Sequence, residues 1–391
     1  MIHVEEARKI CLSQRLELQT ESLSIEEAQG RFLAKDLTAE LPHPFFDVSA
    51  VDGYAFRAAE QDSELKVIGE VPAGSLYESE IPHNCCVRIF TGATVPKDCD
   101  TVIMQEFSER NGDHVSFNKQ QNQGANIRKS GGQIRPGDII FKKGERINAS
   151  ALGLLRSLGI HVVSVYRKIR INCIVTGSEF ANSIAELEEG KIFDSNGLSL
   201  EAEFRDWPCE FNYQLCQDDL NSLTEKVKEL SEHSDLLILT GGVSVGDYDF
   251  SRAALEANNF DVLFHKVKQK PGKPLLLARQ AECVAFGLPG NPRSVLISLE
   301  LYIKDWMKVN LGANPRKWIM LPLKEKHKRR GDRAELLSAT YEDDGLKLNE
   351  HQASHMLQSL ARADYLIHFQ ENKSLFRAGD LVECLDLRNG S

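Results

Sequence analysis

The feature that most constrains this chain is a set of three glycine-bearing turns between Asp235 and Ser294, each beside a run of apolar residues. They read TGGVSVGDYD at 240–249, KPGKP at 270–274 and GLPGNPRS at 287–294. Apolar runs that end in such turns and lead into helices are typical of a mostly parallel sheet with helices on both faces. Ligands of these sheets bind at the carboxyl ends of the strands, where glycine turns direct backbone N–H groups toward an anion. The sequence therefore predicts an α/β region with an anion site at that edge.

Length, charge and cysteine content limit the class of protein. The 391 residues are too many for one hydrophobic core, which predicts about two to four domains. A formal net charge of -10 argues against a general nucleic-acid binder, so an anion site has to be a local basic pocket. The nine cysteines include no Cys-x-x-Cys pair, which argues against a zinc site or a redox dithiol. With a charged N-terminus and no long apolar run, we expect a cytoplasmic protein with reduced thiols and no membrane partner.

The alternation of strands and helices is confined to the middle of the chain. Short apolar runs broken by proline, glycine and asparagine extend from Leu65 to about Asn126 and return after Pro315, which predicts two flanking β regions. Near the N-terminus, the capping-box spacing of Ser24 and Glu27 predicts a helix through about residue 33. In the α/β region the pattern predicts strands at 169–175, 236–239 and 284–288, and helices at 198–207, 220–230 and 291–309.

The first turn has the residues of a phosphate and metal site. Gly241 and Gly242 can take positive φ, so that successive N–H groups converge, and the Ser244 hydroxyl can donate to a phosphate oxygen. Asp247 and Asp249 could hold Mg²⁺, which prefers carboxylate and phosphate oxygens. The residues also fit a plain strand-to-helix turn in which Asp249 caps the next helix.

Basic residues and a helix start accompany the other two turns. In an extended run Lys266, Lys268 and Lys270 point to one side, and the rigid Pro-Gly-Lys-Pro turn presents Lys273; the alternative is a solvated edge strand. The helix that starts at 291–292, with asparagine at its N-cap and proline at its first position, offers free N–H groups and a favourable dipole to an anion. Arg293 and Ser294 can reinforce that contact, although a tight strand-to-helix connection would have the same sequence.

Several acidic residues fit either a turn or helix cap or a metal ligand. Asp52 precedes a glycine, and by the local sequence alone a turn is favoured over a metal ligand. Asp194 and the pair Asp218–Asp219 come just before predicted helices, where caps are favoured over metal ligands.

Other stretches extend the pattern over nearly the whole chain. In order they read PFFDVSAVDGYAF, GEVPAGS, VRIFTGATVPKDCDTVIMQE, NIRKSGGQI, LGLLRSLGI, TGSEF and GKIFDSNG before the three turns, and HQASHMLQSLARADYLI after them. Together with the turns they resemble the molybdopterin molybdotransferase family, the MoeA and gephyrin E-domain group. The resemblance is collinear from about residue 24 to residue 386.

The resemblance implies a multidomain α/β and β fold. It implies a three-layer α/β molybdopterin-binding domain with a mostly parallel sheet at 169–312, a β domain inserted at 42–136 and a C-terminal β barrel at 313–391. An elongated discontinuous domain is implied at 1–41 plus 137–168. The family forms a homodimer whose active site lies between the α/β domain of one subunit and the inserted domain of the other, and a transient contact with the molybdopterin adenylyltransferase is expected.

The implied reaction inserts molybdate into adenylylated molybdopterin and releases AMP, with Mg²⁺ as cofactor. By the resemblance, Asp52, Glu179, Asp218 and Asp249 serve catalysis, and Asp52, Glu179 and Asp249 bind the metal. The implied substrate-binding residues are Thr91, Gly241, Gly242, Ser244, Lys266, Lys270, Lys273, Pro289, Asn291, Pro292 and Ser294.

Three departures from the family pattern change the charge. Ser178 stands where the family usually has Asp, and Gly132-Gln133 where it has Glu-Asp; Arg293 stands where it has Val. The first two remove negative charge and the third adds positive charge, which predicts a pocket biased toward anions, weaker metal binding and lower activity.

Two hypotheses from different classes follow. The first is a working molybdotransferase, which the acids and the lysines support. The second is a non-catalytic scaffold that binds molybdopterin or its nucleotide, which the changes at Ser178, Gly132 and Gln133 support. A third option, an enzyme acting on another nucleotide pyrophosphate, needs only the α/β region and leaves the stretch at 41–56 unexplained.

Overall fold

The computed structural model describes residues 1–181, 183–242 and 250–388. The chain divides into two compact units, each of them discontinuous in sequence. The larger unit contains Met1–Lys35, Lys143–Gly153 and His161–Ser391, and the smaller contains Asp36–Lys142 and Leu154–Ile160. The four-domain division made from the sequence is finer than this, and its boundaries stay a prediction.

The centre of the larger unit is a six-stranded sheet in the order β2-β1-β3-β6-β5-β4. The strands are β1 (Ile169–Thr176), β2 (Cys209–Cys216), β3 (Leu236–Thr240), β4 (Asp261–Phe264), β5 (Leu276–Gln280) and β6 (Cys283–Leu288). Strand β1 pairs in parallel with β2 and β3, and β3 pairs in parallel with β6. Strand β5 pairs antiparallel with β6, and the edge strand β4 pairs antiparallel with β5. The mostly parallel sheet expected from the sequence is confirmed.

Strand β3 is apolar throughout because both of its faces are covered. All five of its residues are buried. Leu236 and Ile238 belong to one hydrophobic cluster, and Leu237 and Leu239 to another. Successive side chains of a strand point to opposite faces, so one apolar run builds both cores of a doubly covered sheet.

Helices cover the sheet, three of them at the positions that the period predicted and a further one at 250–257. They are α1 (Asn196–Phe204), α2 (Leu220–Ser231), α3 (Phe250–Ala257) and α4 (Pro292–Ser298). Helix α4 continues as a π-helix at Leu299–Ile303 and an α-helix at Lys304–Asn310, so the long helix is confirmed. Within the described ranges, no helix has the length and apolar character that crossing a membrane requires.

The C-terminal part of the larger unit is a β barrel. Its strands, in spatial order, are Gln269–Lys270, Ala334–Glu342, Tyr365–Phe369, Leu381–Asp386 and Ile319–Pro322, with Gly345–Leu348 pairing to Ala334–Glu342. A bridge between Leu323 and Leu346 joins the last strand of this path to Gly345–Leu348 and closes the sheet on itself. A short pair, His327–Lys328 with Leu375–Phe376, and a helix at Gln358–Ala361 complete this part.

The smaller unit contains the β-rich segment expected between Leu65 and Asn126. Its six-stranded sheet has the order Thr101–Met104, Gly53–Phe56, Cys85–Ile89, Leu65–Val71, His114–Phe117 and Ser108–Asn111. Two short pairs lie beside it, Leu37–Thr38 with Ile139–Phe141 and Val48–Ser49 with Ile127–Arg128. Its main core gathers Val71, Val87, Ile89 and Val102, all fully buried.

The helix predicted from Ser24 to about residue 33 is wrong. Thr20–Ser24 is a β-strand paired antiparallel with Val162–Tyr166, and only Ile25–Glu27 forms a short 3-10 turn. Ser24 makes no cap hydrogen bond to the backbone; its hydroxyl lies 3.3 Å from Glu27 Oε2. The distant strand partner outweighs the local capping spacing. In the described part of the larger unit, further α-helices are Val4–Ser13 and one that begins at Ala149.

A buried carboxylate anchors the amino end of β3. Asp235 accepts hydrogen bonds from Arg167 Nη1 (2.6 Å), Arg170 Nη2 (2.9 Å) and the Arg170 N–H (2.8 Å). Burial acts to raise the pKa of this carboxyl, but the hydrogen bonds from the two arginines outweigh it, and the pKa falls from 3.8 to about 2. The anchor fixes the strand whose opposite end carries Gly241 and Gly242.

We expect Asp235→Asn to lower the stability of the larger unit at pH 7 by about 2 kcal/mol, less than for a fully buried pair because the arginines keep access to water. A depressed carboxyl pKa contributes stability above its unfolded value that is lost as pH falls through the folded value. Calorimetric melting temperatures of parent and variant should therefore differ most above pH 4 and converge toward pH 2. Parallel curves over that range would contradict the assignment.

Candidate functional site

A cavity of about 660 Å³ lies where the α/β part of the larger unit meets the barrel. The α/β side contributes the Pro-Gly-Lys-Pro turn and the start of α4, and the barrel contributes one strand and one loop. The lining residues are Lys270, Pro271, Gly272, Lys273, Pro274, Pro289, Asn291, Ser294, Arg333, Glu335, Leu337, Gln352, Ala353 and Ser354.

The Pro-Gly-Lys-Pro turn is held from beneath by Gln269, which is fully buried. Gln269 Nε2 donates to the Gly272 carbonyl at 3.1 Å, and its Oε1 accepts from the Tyr302 hydroxyl. Gly272 has φ +81°, and a Cβ there would lie 2.9 Å from Gln269 Nε2, so the turn needs glycine for both reasons. The outcome is a fixed turn that presents Lys273 to the cavity.

The cavity is cationic with one carboxylate inside it. Lys270, Lys273 and Arg333 line it together with Glu335, whose Oε1 lies 3.6 Å from Lys270 Nζ. Burial acts to raise the pKa of Glu335, but the contact with His327, 2.9 Å from its Oε2, the Arg330 N–H and the charge of Lys270 together lower it, so the carboxyl stays charged. Three cations against one anion leave a surplus of positive charge, which suits a multiply charged oxyanion.

The start of α4 contributes side chains and not free N–H groups. Asn291 is the N-cap and Pro292 follows it, as predicted. The Arg293 N–H donates to the Ser354 carbonyl (3.1 Å) and the Ser294 N–H to the Asn291 carbonyl (2.9 Å). The expectation that these N–H groups are free for an anion is wrong, because a barrel loop and the N-cap residue already use them. Ser294 itself lines the cavity.

The first and third glycine turns meet at the carboxyl ends of β3 and β6. Gly241 and Gly242 have φ of +87° and +58°, as the sequence predicted. The Gly241 N–H donates to the Leu288 carbonyl at 3.2 Å, and a Cβ on Gly290 would lie 3.6 Å from the Gly241 Cα. Asn196 Nδ2 fixes the Gly290 carbonyl at 2.9 Å. Ser244, Asp247 and Asp249 lie outside the described residues.

The adjacent acids Asp218 and Asp219 have different roles. Asp219 caps α2, accepting from the Ser222 N–H at 2.9 Å, and this hydrogen bond lowers its pKa. Desolvation and the neighbouring charge of Glu179 raise the pKa of Asp218. The prediction of a cap is therefore confirmed for Asp219, whereas Asp218 makes no cap hydrogen bond among the described contacts. Asp194 is also a cap, accepting from the N–H groups of Asn196 and Gly197.

The fit of a divalent cation can be tested on these acids. Within residues 1–181, 183–242 and 250–388, no group of three or more Asp, Glu, His or Cys is placed to hold a metal ion. The charge of Glu179 acts on Asp218, after desolvation, to raise the pKa of that carboxyl, and a cation beside Asp218 would relieve this repulsion. Two carboxylates that share a cation with substrate phosphates suit Mg²⁺, so the residues present fit this ion.

The smaller unit brings together two more of the predicted residues. The Thr91 N–H and hydroxyl donate to Asp52 Oδ1 at 2.8 and 2.7 Å. These bonds lower the pKa of the exposed Asp52 carboxyl, which stays ionised. In the same unit, a Cβ on Gly132 would lie 2.9 Å from the Lys129 carbonyl oxygen, so this turn favours glycine at that position.

Five predicted residues converge on the cavity: Lys270, Lys273, Pro289, Asn291 and Ser294. Lys266 and Pro292 are not among its described lining residues. Four further lining residues were not predicted from the sequence: Arg333, Glu335, Gln352 and Ser354. The only signal for two of them was the stretch that begins HQAS, which had been used to support the resemblance and not to assign a site.

The predicted contact between Arg293 and an anion is wrong. This side chain is fully buried and directed into the barrel, where Nη1 donates to the Gln352 carbonyl at 2.8 Å. The added positive charge at position 293 is therefore next to the cavity lining but not exposed in it.

Comparison with known proteins gives consistent matches along the chain. Residues 2–159 match the family described as MoeA N-terminal region (domain I and II), 172–308 match the probable molybdopterin binding domain, and 320–387 match the MoeA C-terminal region (domain IV). The molybdopterin molybdenumtransferase of Staphylococcus epidermidis is 36% identical over 321 residues, which are 80% of this chain and 76% of the relative. That of Bacillus subtilis is 36% identical over 316 residues, or 78% and 73%.

A solved structure extends the likeness to the whole fold. The crystal structure of the molybdopterin biosynthesis MoeA protein from Pyrococcus horikoshii superposes with a TM-score of 0.85 at 28% identity. The match covers 98% of this chain and 99% of the other.

We expect Gly241→Ala to cost about 3 kcal/mol or more, because positive φ is combined with a Cβ only 2.5 Å from Thr176 Oγ1. Gly379→Ala is the matched control, since φ is +86° there and nothing lies within 4 Å of the added Cβ; it should cost about 1 kcal/mol. Calorimetry of both variants makes the comparison. Equal losses would mean that the close approach to Thr176 is unimportant.

Proposed function

This chain belongs to the MoeA family, and on that premise we propose that it is a molybdopterin molybdotransferase that inserts molybdate into adenylylated molybdopterin and releases AMP. The observation that carries the proposal is the cationic cavity, in which Lys270, Lys273 and Arg333 outnumber Glu335. Molybdate is a compact dianion with four acceptor oxygens, and the ammonium, guanidinium and hydroxyl donors of the cavity suit it.

We propose that the cavity holds molybdate and that the glycine turns hold the phosphate-bearing substrate. Gly241 and Gly242 lie at the carboxyl end of β3, next to the Gly290 turn, as expected for a nucleotide or pterin phosphate on a parallel sheet. Ser244 and Lys266 are further proposed substrate contacts. Fixed donors around both anions would orient them without reorganisation during the reaction.

We propose Mg²⁺ as the cofactor, held by Glu179 and Asp249, with Asp218 as a further catalytic acid; Asp52 is a further proposed ligand, contributed by the second subunit of the proposed homodimer. The interacting pair Glu179–Asp218 supports this, since its repulsion favours a cation between the substrate phosphates and the protein. When bound, the ion would polarise the phosphoanhydride from which AMP leaves. Thr91 would then act by orienting Asp52, to which it donates two hydrogen bonds.

A homodimer, a cytoplasmic location and a transient contact with the molybdopterin adenylyltransferase are part of the same proposal. Exposed apolar side chains at Ile184, Leu187, Ile192 and Phe193 support a covered surface on the α/β part. The nine cysteines are all unpaired, which supports a reducing compartment. An adenylylated substrate requires an enzyme that adenylylates it.

The deciding experiment mixes the purified chain with adenylylated molybdopterin, molybdate and Mg²⁺ and follows AMP by chromatography. We expect AMP release that depends on both molybdate and the cation. If the substrate binds but no AMP appears at any Mg²⁺ concentration, the non-catalytic scaffold, favoured by Ser178 in place of an acid, is the better description.

Lys273→Ala should weaken molybdate binding about tenfold or more, because a hydrogen bond to a charged group contributes roughly 1.5–3 kcal/mol. Lys268→Ala is the matched control: this lysine belongs to the same segment and is not among the described residues that line the cavity. Isothermal titration with molybdate measures both, and calorimetry checks that each variant is folded. Equal affinities for the two variants would remove Lys273 from the site.

A further inference from the structure

Arg293, a residue of the larger unit, is fully buried. It follows Asn291 and Pro292 at the start of α4 and precedes Ser294, which lines the cavity. Its guanidinium leaves the α/β part and enters the barrel.

All hydrogen bonds of Arg293 in the described structure go to neutral acceptors of the barrel. The Arg293 N–H donates to the Ser354 carbonyl (3.1 Å) and Nη1 to the Gln352 carbonyl (2.8 Å). Nη2 donates to Gln352 Oε1 and to the Leu336 carbonyl (3.1 Å), and Nε donates to the Ser359 hydroxyl (3.1 Å). One residue of the α/β part thus ties together a barrel strand, a barrel loop and a short helix.

Stability alone does not account for this arginine. Burial lowers its pKa to about 10, so it is charged at neutral pH. The first turn of a helix is the positive end of the dipole and disfavours a cation, and its described hydrogen-bond partners include no carboxylate. Apolar residues often replace buried charges without loss of stability. A role in shaping the neighbouring cavity explains the presence of Arg293 better than a contribution to folding.

The loop that Arg293 holds is part of the cavity wall. Gln352, Ala353 and Ser354 line the cavity, and two of these residues accept hydrogen bonds from Arg293. Gln352 is fixed further by Ser338, since its Nε2 donates to the Ser338 carbonyl at 2.7 Å and its Oε1 accepts from the Ser338 hydroxyl at 3.0 Å. The backbone N–H of Arg293 holds the Ser354 carbonyl, and its guanidinium fork holds Gln352, two residues earlier in the same loop.

We propose that Arg293 is a positioning residue for the oxyanion: it locks the Gln352–Ser354 loop of the barrel against the start of α4, so that Ser294 and Ser354 face one bound anion together with Lys273 and Arg333. The proposal rests on the proposed function of the cavity. A fork that grips two carbonyls and a side-chain amide at once is the geometry in which Lys cannot replace Arg.

The test is a molybdate titration of the full chain and three variants by isothermal calorimetry. Arg293→Met removes the fork and keeps the volume, and Arg293→Lys keeps the charge without the fork. Arg31→Met is the control, because Arg31 is similarly buried and donates to the Tyr166 carbonyl, outside the cavity lining. Melting temperatures of all four proteins are measured in parallel.

We expect Arg293→Met to weaken molybdate binding about tenfold or more. A displaced loop would lose the hydrogen bond from Ser354 to the charged ligand, and the estimate is the loss of one such bond. Arg293→Lys should recover only part of the affinity, and Arg31→Met should bind like the parent. In the AMP-release reaction, Arg293→Met should raise KM for molybdate with little change in kcat, as for a residue that acts on binding. A residue with a purely structural role would lower the melting temperature and leave molybdate affinity unchanged.

The outcomes separate the two proposals. Unchanged affinity in a folded Arg293→Met, beside a weakened Lys273→Ala, overturns the role of Arg293 and leaves the cavity assignment intact. If Arg293→Met does not fold, Arg293→Lys decides in the same way. Absence of molybdate binding by the parent protein overturns the proposed function of the cavity, and the role of Arg293 with it.

Discussion

A two-residue parallel pairing, Gln269–Lys270 with Ala334–Glu335, joins the α/β part to the barrel, and the cationic cavity depends on it. The pairing sets Lys270 against Glu335 and brings Arg333 beside the Pro-Gly-Lys-Pro turn. Gln269, which is buried beneath the turn, forms hydrogen bonds with the turn and with Tyr302 of the long helix. A displacement of the barrel would therefore move Lys273. Within the larger unit, the short strand Gln269–Lys270 joins the sheet of the barrel and thereby sets which charged side chains line the cavity.

The covered sheet could be predicted from the sequence because its signals are local. The apolar run of β3 and the spacing of Leu223, Val227 and Leu230 on α2 report burial directly, and paired glycines report positive φ. The Ser24–Glu27 spacing predicted a helix that does not form, because the strand partner of Thr20–Ser24 is far away in sequence, at Val162–Tyr166. Local propensity yields to such long-range pairing.

Only part of the cavity lining could be predicted, because local motifs mark some of its residues and distant contacts place the others. Lys273, Asn291 and Ser294 lie in turns whose geometry follows from proline and glycine, so their grouping could be anticipated. The direction of the Arg293 side chain could not be predicted. It donates to the Gln352 carbonyl in a loop about sixty residues later, and a backbone carbonyl carries no sequence signal. Arg333 and Ser354 were missed because no local motif marks a barrel residue that faces another domain.

The span of the cavity lining, from Lys270 to Ser354, also bears on how the protein is made. During synthesis the α/β sheet emerges from the ribosome with its lysines before the barrel strands that supply Glu335 and the acceptors of Arg293. Nascent chains fold from the N-terminus as segments become available. Until the barrel segments that carry these acceptors have been made and folded, the Arg293 guanidinium lacks its acceptors and the cavity lacks the wall that Glu335 and Gln352 supply.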